Sequence, residues 1–145
     1  MQKASATTTI DADPATVFAA VSDITRMGEW SPECVGGEWA PGSDQAAVGA
    51  RFIGHNKVSL HKWSTESEIT EFVPGEVFEF VSEGQTTWRY EFQSVGDQTV
   101  VTESFTNPSV GGVRGFIYDS VLRRDRAMLK GMQKTLARLK DALES

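Results

Sequence analysis

Cys34 is the only cysteine in the chain, so no intrachain disulfide can form and a reducing compartment is the expected setting. No run approaches the roughly 18 apolar residues of a spanning helix, so stable membrane insertion is not expected. The opening MQKASATTTI lacks the apolar stretch of a secretory leader, which makes the cytoplasm the expected location. Cations are scarce as well: 14 Lys and Arg against 20 Asp and Glu leave a net charge of −6. That balance disfavours a nucleic-acid partner, which is usually met by a basic face. The densest basic group, Arg123, Arg124, Arg126, Lys130 and Lys134, reads as the solvated side of a helix. The two histidines, His55 and His61, lack metal-ligand spacing, so no metal is expected. No CxxC, nucleotide-binding glycine loop or ordered Ser-His-Asp set occurs, and no cofactor is expected.

What is present is an ordinary globular composition: 145 residues, 39% hydrophobic and 23% charged. A chain of this size forms one domain, 1–145, and buries roughly two-thirds of its unfolded surface. No repeat or linker divides it. Residues 3–11 read as a Thr-rich strand. Asp13-Pro14 then starts a helix, since the carboxylate accepts from free N–H groups and Pro loses nothing at the first helical position. Val17, Phe18 and Val21 form its apolar stripe, and Thr25 is expected to cap a shorter turn ending near Trp30-Ser31-Pro32. From residue 33 the period becomes alternating. Gly36-Gly37, Pro41-Gly42, Pro74-Gly75, Glu83-Gly84 and Gly96-Asp97 punctuate about six strands. The clearest are 50–58, 60–73, 76–82, 86–95 and 98–106. Strands this close must pair antiparallel. After Asn107-Pro108 and the glycines 111, 112 and 115, Tyr118, Leu122, Leu129, Met132, Leu136, Leu139 and Leu143 mark one stripe of a helix. At 1.5 Å per residue it runs on the order of 45 Å, enough to cross the sheet. The class is α+β.

Ordered motifs run the length of the chain. Asp13-Pro14 with Val17-Phe18 is followed by Gly28-Glu29-Trp30-Ser31-Pro32 and by Gly49-x-Arg51-Phe52-x-Gly54-x-Asn56. Trp63, Pro74-Gly75 with Phe78-x-Phe80, Trp88-x-Tyr90-x-Phe92 and Thr99-x-Val101-Thr102-Glu103 continue the series. Gly131-Met132 and Thr135-Leu136-x-Arg138-Leu139-Lys140 close it. In this order they resemble the START-like (SRPBCC) superfamily, specifically its polyketide cyclase/dehydrase and lipid-transport branch. The resemblance implies the helix-grip (Bet v 1-like) fold: a curved antiparallel sheet of about seven strands, two short helices after the first strand and a long C-terminal helix. It also implies an internal cavity for lipids, polyketides, sterols or similar molecules. It does not imply one reaction, because a fold carries only an associational warrant for function.

Strand alternation assigns the faces. Phe52 and Asn56, Trp63 and Thr65, Phe78 and Phe80, Trp88, Tyr90 and Phe92, and Glu103 are the expected ligand-binding positions on the strands. Phe116, Leu122 and Leu129 are those on the helix. The aromatics would equally serve as core filler, but Gly54, Asn56, Thr65 and Ser67 interrupt them where a packed core would carry aliphatics. Glu103 shares a face with Val101 and Phe105; buried without a partner, its carboxyl would titrate high. A solvated edge position or an arginine partner is the alternative. Asp125 sits on the helix stripe, where pairing with Arg89 or Arg124 is the simpler reading. His61 falls on the face of Trp63, and His55 on the other. Cys34 reads as an inert thiol.

Two classes of function follow. The first is a binder of an apolar small molecule, with a homodimer left open. The second is an aromatase/cyclase or dehydratase using Glu103, Tyr90 and His61 as acid–base groups, helped by Asn56. Val110, Val113, Phe116 and Ile117 among the glycines at 108–117 are expected to form a mobile gate. A chaperone-like interaction module would instead need an exposed apolar patch.

Overall fold

Asp13 and Pro14 do begin the first helix, with Thr16 N donating to Asp13 Oδ1 at 3.3 Å. The computed structural model describes residues 2–107 and 116–144, and side chains for 3–107 and 128–144. In chain order these form β1 (Gln2–Ile10), α1 (Pro14–Ser22), a 3-10 turn (Ile24–Arg26), α2 (Met27–Trp30) and β2 (Cys34–Trp39). Then come β3 (Arg51–Val58), β4 (His61–Val73), β5 (Val77–Ser82), β6 (Thr86–Val95), β7 (Gln98–Asn107) and α3 (Phe116–Glu144). Strand ends lie within a residue of the alternation pattern. The expected gate residues Val110 and Val113 lie outside the described residues, as do the side chains of Phe116, Ile117, Leu122 and Asp125.

All seven strands join one antiparallel sheet in the order β1-β7-β6-β5-β4-β3-β2. Because β1 and β2 occupy opposite edges, the segment between them must cross a sheet face, and α1 and α2 make that crossing. Phe18 of α1 seats its ring edge-on to Phe72 at 5.2 Å and Phe92 at 5.3 Å, with Phe78 at 6.4 Å. Helix α3 lies against β1, β7 and α2, burying Met132, Leu136 and Leu139. Its last turn is tied to the β1 edge. Lys140 Nζ donates to Thr9 O at 2.7 Å and pairs with Glu144 Oε2 at 2.7 Å, which also accepts from Asp11 N at 2.8 Å. Among the described residues no helix is long and apolar enough to cross a membrane.

Two local expectations give way. Thr25 does not cap the short turn; Asp23 does, accepting from Thr25 N at 3.1 Å. A carboxylate next to the turn outcompetes the hydroxyl. Gly36 and Gly37 do not punctuate strands but lie inside β2. The reason at Gly37 is close approach: an added Cβ would sit 2.3 Å from Ile24 O. Gly37→Ala should therefore push the 3-10 turn off the sheet and cost about 1–3 kcal/mol. Urea unfolding should show a lower midpoint with an unchanged slope.

The outer face of the sheet is a charge ladder. Arg89 holds Glu71 and Glu79, with Glu91 at 3.5 Å, and these carboxylates raise its pKa further. Arg51 holds Glu66 at 2.9 Å and Glu68 at 3.2 Å. Arg89 is thus engaged on this outer face.

Candidate functional site

The inner face of the sheet, roofed by α3, encloses a cavity of about 880 Å³, inside the range of small-molecule sites. Register explains its wall. Phe52 pairs with Ser67, Gly54 with Thr65 and Asn56 with Trp63. Phe78 pairs with Tyr90, Phe80 with Trp88, and Tyr90 with Glu103. Because side chains alternate across each strand, all of these project to one side.

The structure brings Phe52, Asn56, Trp63, Thr65, Phe78, Phe80, Trp88, Tyr90 and Glu103 onto that wall. It separates others. Phe92 is buried against Phe18 at 5.3 Å and is not part of the lining, because α1 covers its end of the sheet. Leu129 is half-buried between the lining residues Met128 and Lys130. His61 is exposed and stacks on Trp63 at 5.0 Å, away from the lining. His55 faces out, holding Glu38 at 2.8 Å and Ser64 at 3.0 Å.

Several lining residues carried no distinct sequence signal. Val21, Met27 and Trp30 reach the cavity from the crossing helices, and Met128, Met132 and Thr135 from α3. Trp30 was visible only as part of a motif, and Met132 only as part of a stripe. Cys34 also lines it; burial pushes its thiol up, and the thiol donates to Gly36 O at 3.2 Å.

Polar and charged groups such as Glu83, Gln85, Lys130 and Lys134 sit at exposed positions of the lining, and a smaller set lies deep. Ser67 and Ser82 share a hydrogen bond of 2.7 Å, and Asn56 Nδ2 reaches Thr65 Oγ1 at 3.5 Å. Glu103 is the pronounced case, 3% exposed. Its Oε2 accepts from the Tyr90 hydroxyl at 2.8 Å, while Oε1 is buried without a partner among the described residues. Loss of hydration raises the carboxyl to about 8, against a smaller opposing pull from the Tyr90 hydrogen bond. The Tyr90 phenol is held well above its usual value, by burial first and by the neighbouring carboxylate second. Half-buried by area, Tyr90 is enclosed at its hydroxyl end. Near neutral pH Glu103 therefore carries a proton. With Tyr90 donating to Oε2, that proton belongs on Oε1. Among the described residues Trp30 Nε1, which also lines the cavity, is buried without a partner as well.

The model of the polyketide cyclase/dehydrase and lipid transport family matches residues 1–144. Among solved structures, a polyketide-cyclase-like protein of Corynebacterium glutamicum is 31% identical, over 98% of this chain and 91% of that one, with a TM-score of 0.70. BexL, a di-domain ARO/CYC from the BE-7585A biosynthetic pathway, is 17% identical over 97% of this chain and 46% of its own, with a TM-score of 0.77. The Aha1 dimer of Colwellia psychrerythraea is 16% identical over 99% and 97%, with a TM-score of 0.66. At the last two identities the likeness shows the fold alone. No curated protein matches the chain.

Proposed function

Because the chain belongs to the polyketide cyclase/dehydrase and lipid transport family, we propose that its cavity binds a largely apolar, uncharged small molecule of the lipid or polyketide kind. One observation carries this reading: about 880 Å³ of space walled by aromatic rings, in which the one deeply buried carboxyl, Glu103, meets a phenol and no cation among the described residues. Aromatic walls with few polar groups favour apolar ligands. A protonated Glu103 spares the site a buried negative charge. The lone buried thiol of Cys34 supports a cytoplasmic setting. A relative solved as a dimer supports a homodimer, which light scattering would read.

The test is native mass spectrometry of protein purified from its own host, beside Thr65→Trp, whose indole would project from the wall and narrow the cavity. The expected result is a small-molecule adduct on the parent chain and a smaller adduct fraction on the variant. Equal adducts on both would place the molecule elsewhere.

A second reading rests on the Tyr90–Glu103 pair. A neutral acid hydrogen-bonded to a phenol can hand a proton to a bound carbonyl, which is the step a cyclisation or dehydration needs. Turnover would then fail in Glu103→Gln while binding of an uncharged dye such as Nile red persists. Loss of dye binding together with turnover would leave Glu103 as a binding group only.

A further inference from the structure

The β3–β4 hairpin breaks a local rule without a gain for folding. Its two-residue loop is Ser59-Leu60, with Ser59 at φ 56°, a position where such loops favour Gly, Asn or Asp. Leu60 is 94% exposed and Val58 47%. The fold uses neither as core. A rule broken with no structural return points to function.

Cations without a glutamate gather around this tip. Arg26, Arg51, Arg89 and Lys140 each hold a glutamate, while Lys3 on β1 and Arg138 on α3 hold none among the described residues. Lys57 and Lys62, cross-strand partners just behind the tip, are exposed and without an ion pair among the described residues. So are Lys130 and Lys134 on α3. The four lie along one stretch of rim. Lys57 N donates to Glu33 O at 2.9 Å, and Pro32 Cγ lies 3.7 Å from where a Cβ on Gly131 would be, between the two helix lysines. Glu33 and Glu83 also border the cavity, and neither holds any of the four in an ion pair. Val58, Trp63, Lys130 and Lys134 all border the cavity.

We propose that this rim docks on an anionic lipid bilayer, with Leu60 and Val58 dipping among the acyl chains and Lys57, Lys62, Lys130 and Lys134 facing the headgroups. An apolar tip ringed by unneutralised cations fits a negatively charged interface. In a chain of net charge −6 it also orients the approach, because the acidic outer face of the sheet is repelled. The docked rim sets the cavity beside the bilayer, where an apolar molecule could pass without crossing water. The proposal stands on surface residues and does not require the cavity to be filled.

Co-sedimentation with vesicles tests it. At low ionic strength the protein should bind vesicles of mixed phosphatidylglycerol and phosphatidylcholine, not phosphatidylcholine alone, and added salt should release it. Each lysine is worth about fivefold in partitioning, so Lys57→Glu with Lys62→Glu should weaken binding more than about twentyfold. Leu60→Asp should weaken it about tenfold. Lys3→Glu, at an exposed lysine on β1 without an ion pair among the described residues, should leave it within about fivefold of the parent. All these changes are at exposed positions, so circular dichroism and Nile red binding should match the parent. That comparison separates a failure of docking from a failure of the cavity reading. Absence of binding to anionic vesicles would overturn the proposal. So would tip variants that bind like the parent, or a loss in Lys3→Glu equal to that in the tip variants.

Discussion

Glu103→Gln should remove most of the dependence of stability on pH between about 5 and 8. Below the ordinary value of 4.5 both folded and unfolded chains hold the proton, and the contribution of Glu103 is fully present. As pH rises past 4.5 the unfolded chain ionises while the folded chain keeps its proton until about 8. Stability is therefore lost across that window, by at most about 1.4 kcal/mol per pH unit and on the order of 4 kcal/mol in all. Glutamine cannot ionise. Its carbonyl still accepts from Tyr90, and its amide takes the place of the oxygen that already lacked a partner, so its unfolding curves should superpose from pH 5 to pH 8. Urea titrations at several pH values read this directly. A parent chain whose stability rises with pH in this window would mean that a cation pairs with Glu103.

Phe18→Ala should be a costly truncation, about 3–5 kcal/mol, because its ring is buried and edge-on to Phe72, Phe78 and Phe92. Trp88→Ala should cost less than about 2 kcal/mol although it removes a larger ring. Trp88 is half-buried and one side of it borders empty space, with Phe105 at 5.6 Å as its ring neighbour; atoms facing a void have few contacts to lose. Thermal unfolding of both variants, with a Nile red titration of Trp88→Ala, separates wall from core. A Trp88 loss equal to that of Phe18 would make Trp88 core filler.

The strands and helices were legible because alternation and helical stripes record burial directly, and the inward set Trp88, Tyr90 and Glu103 followed from a period of two. Phe92 shows where that stops. It shares the face of Tyr90, but whether a position on that face meets a ligand or a helix depends on where α1 crosses, and no periodicity encodes the crossing. Phe80 makes the same point from the other side: it lines the cavity, yet is buried against Phe52 at 5.1 Å. Gly37 looked like a turn because close packing and a turn demand the same residue. Trp30 and Met27 were hidden because short helices carry too few residues for a stripe. The pairing of Tyr90 with Glu103 is a register fact, fixed only once β6 and β7 are aligned.

Methionine methyl NMR puts the central claim, that the cavity takes an apolar molecule, to its most direct test. Of four methionines, Met27, Met128 and Met132 line the cavity, and Met1 is the terminal residue. With selective ¹³C-methyl labelling, titration with Nile red should shift the signals of Met27, Met128 and Met132 in step with the dye's fluorescence and leave Met1 in place. Dye fluorescence that saturates while those three methyls stay fixed would contradict binding in the cavity.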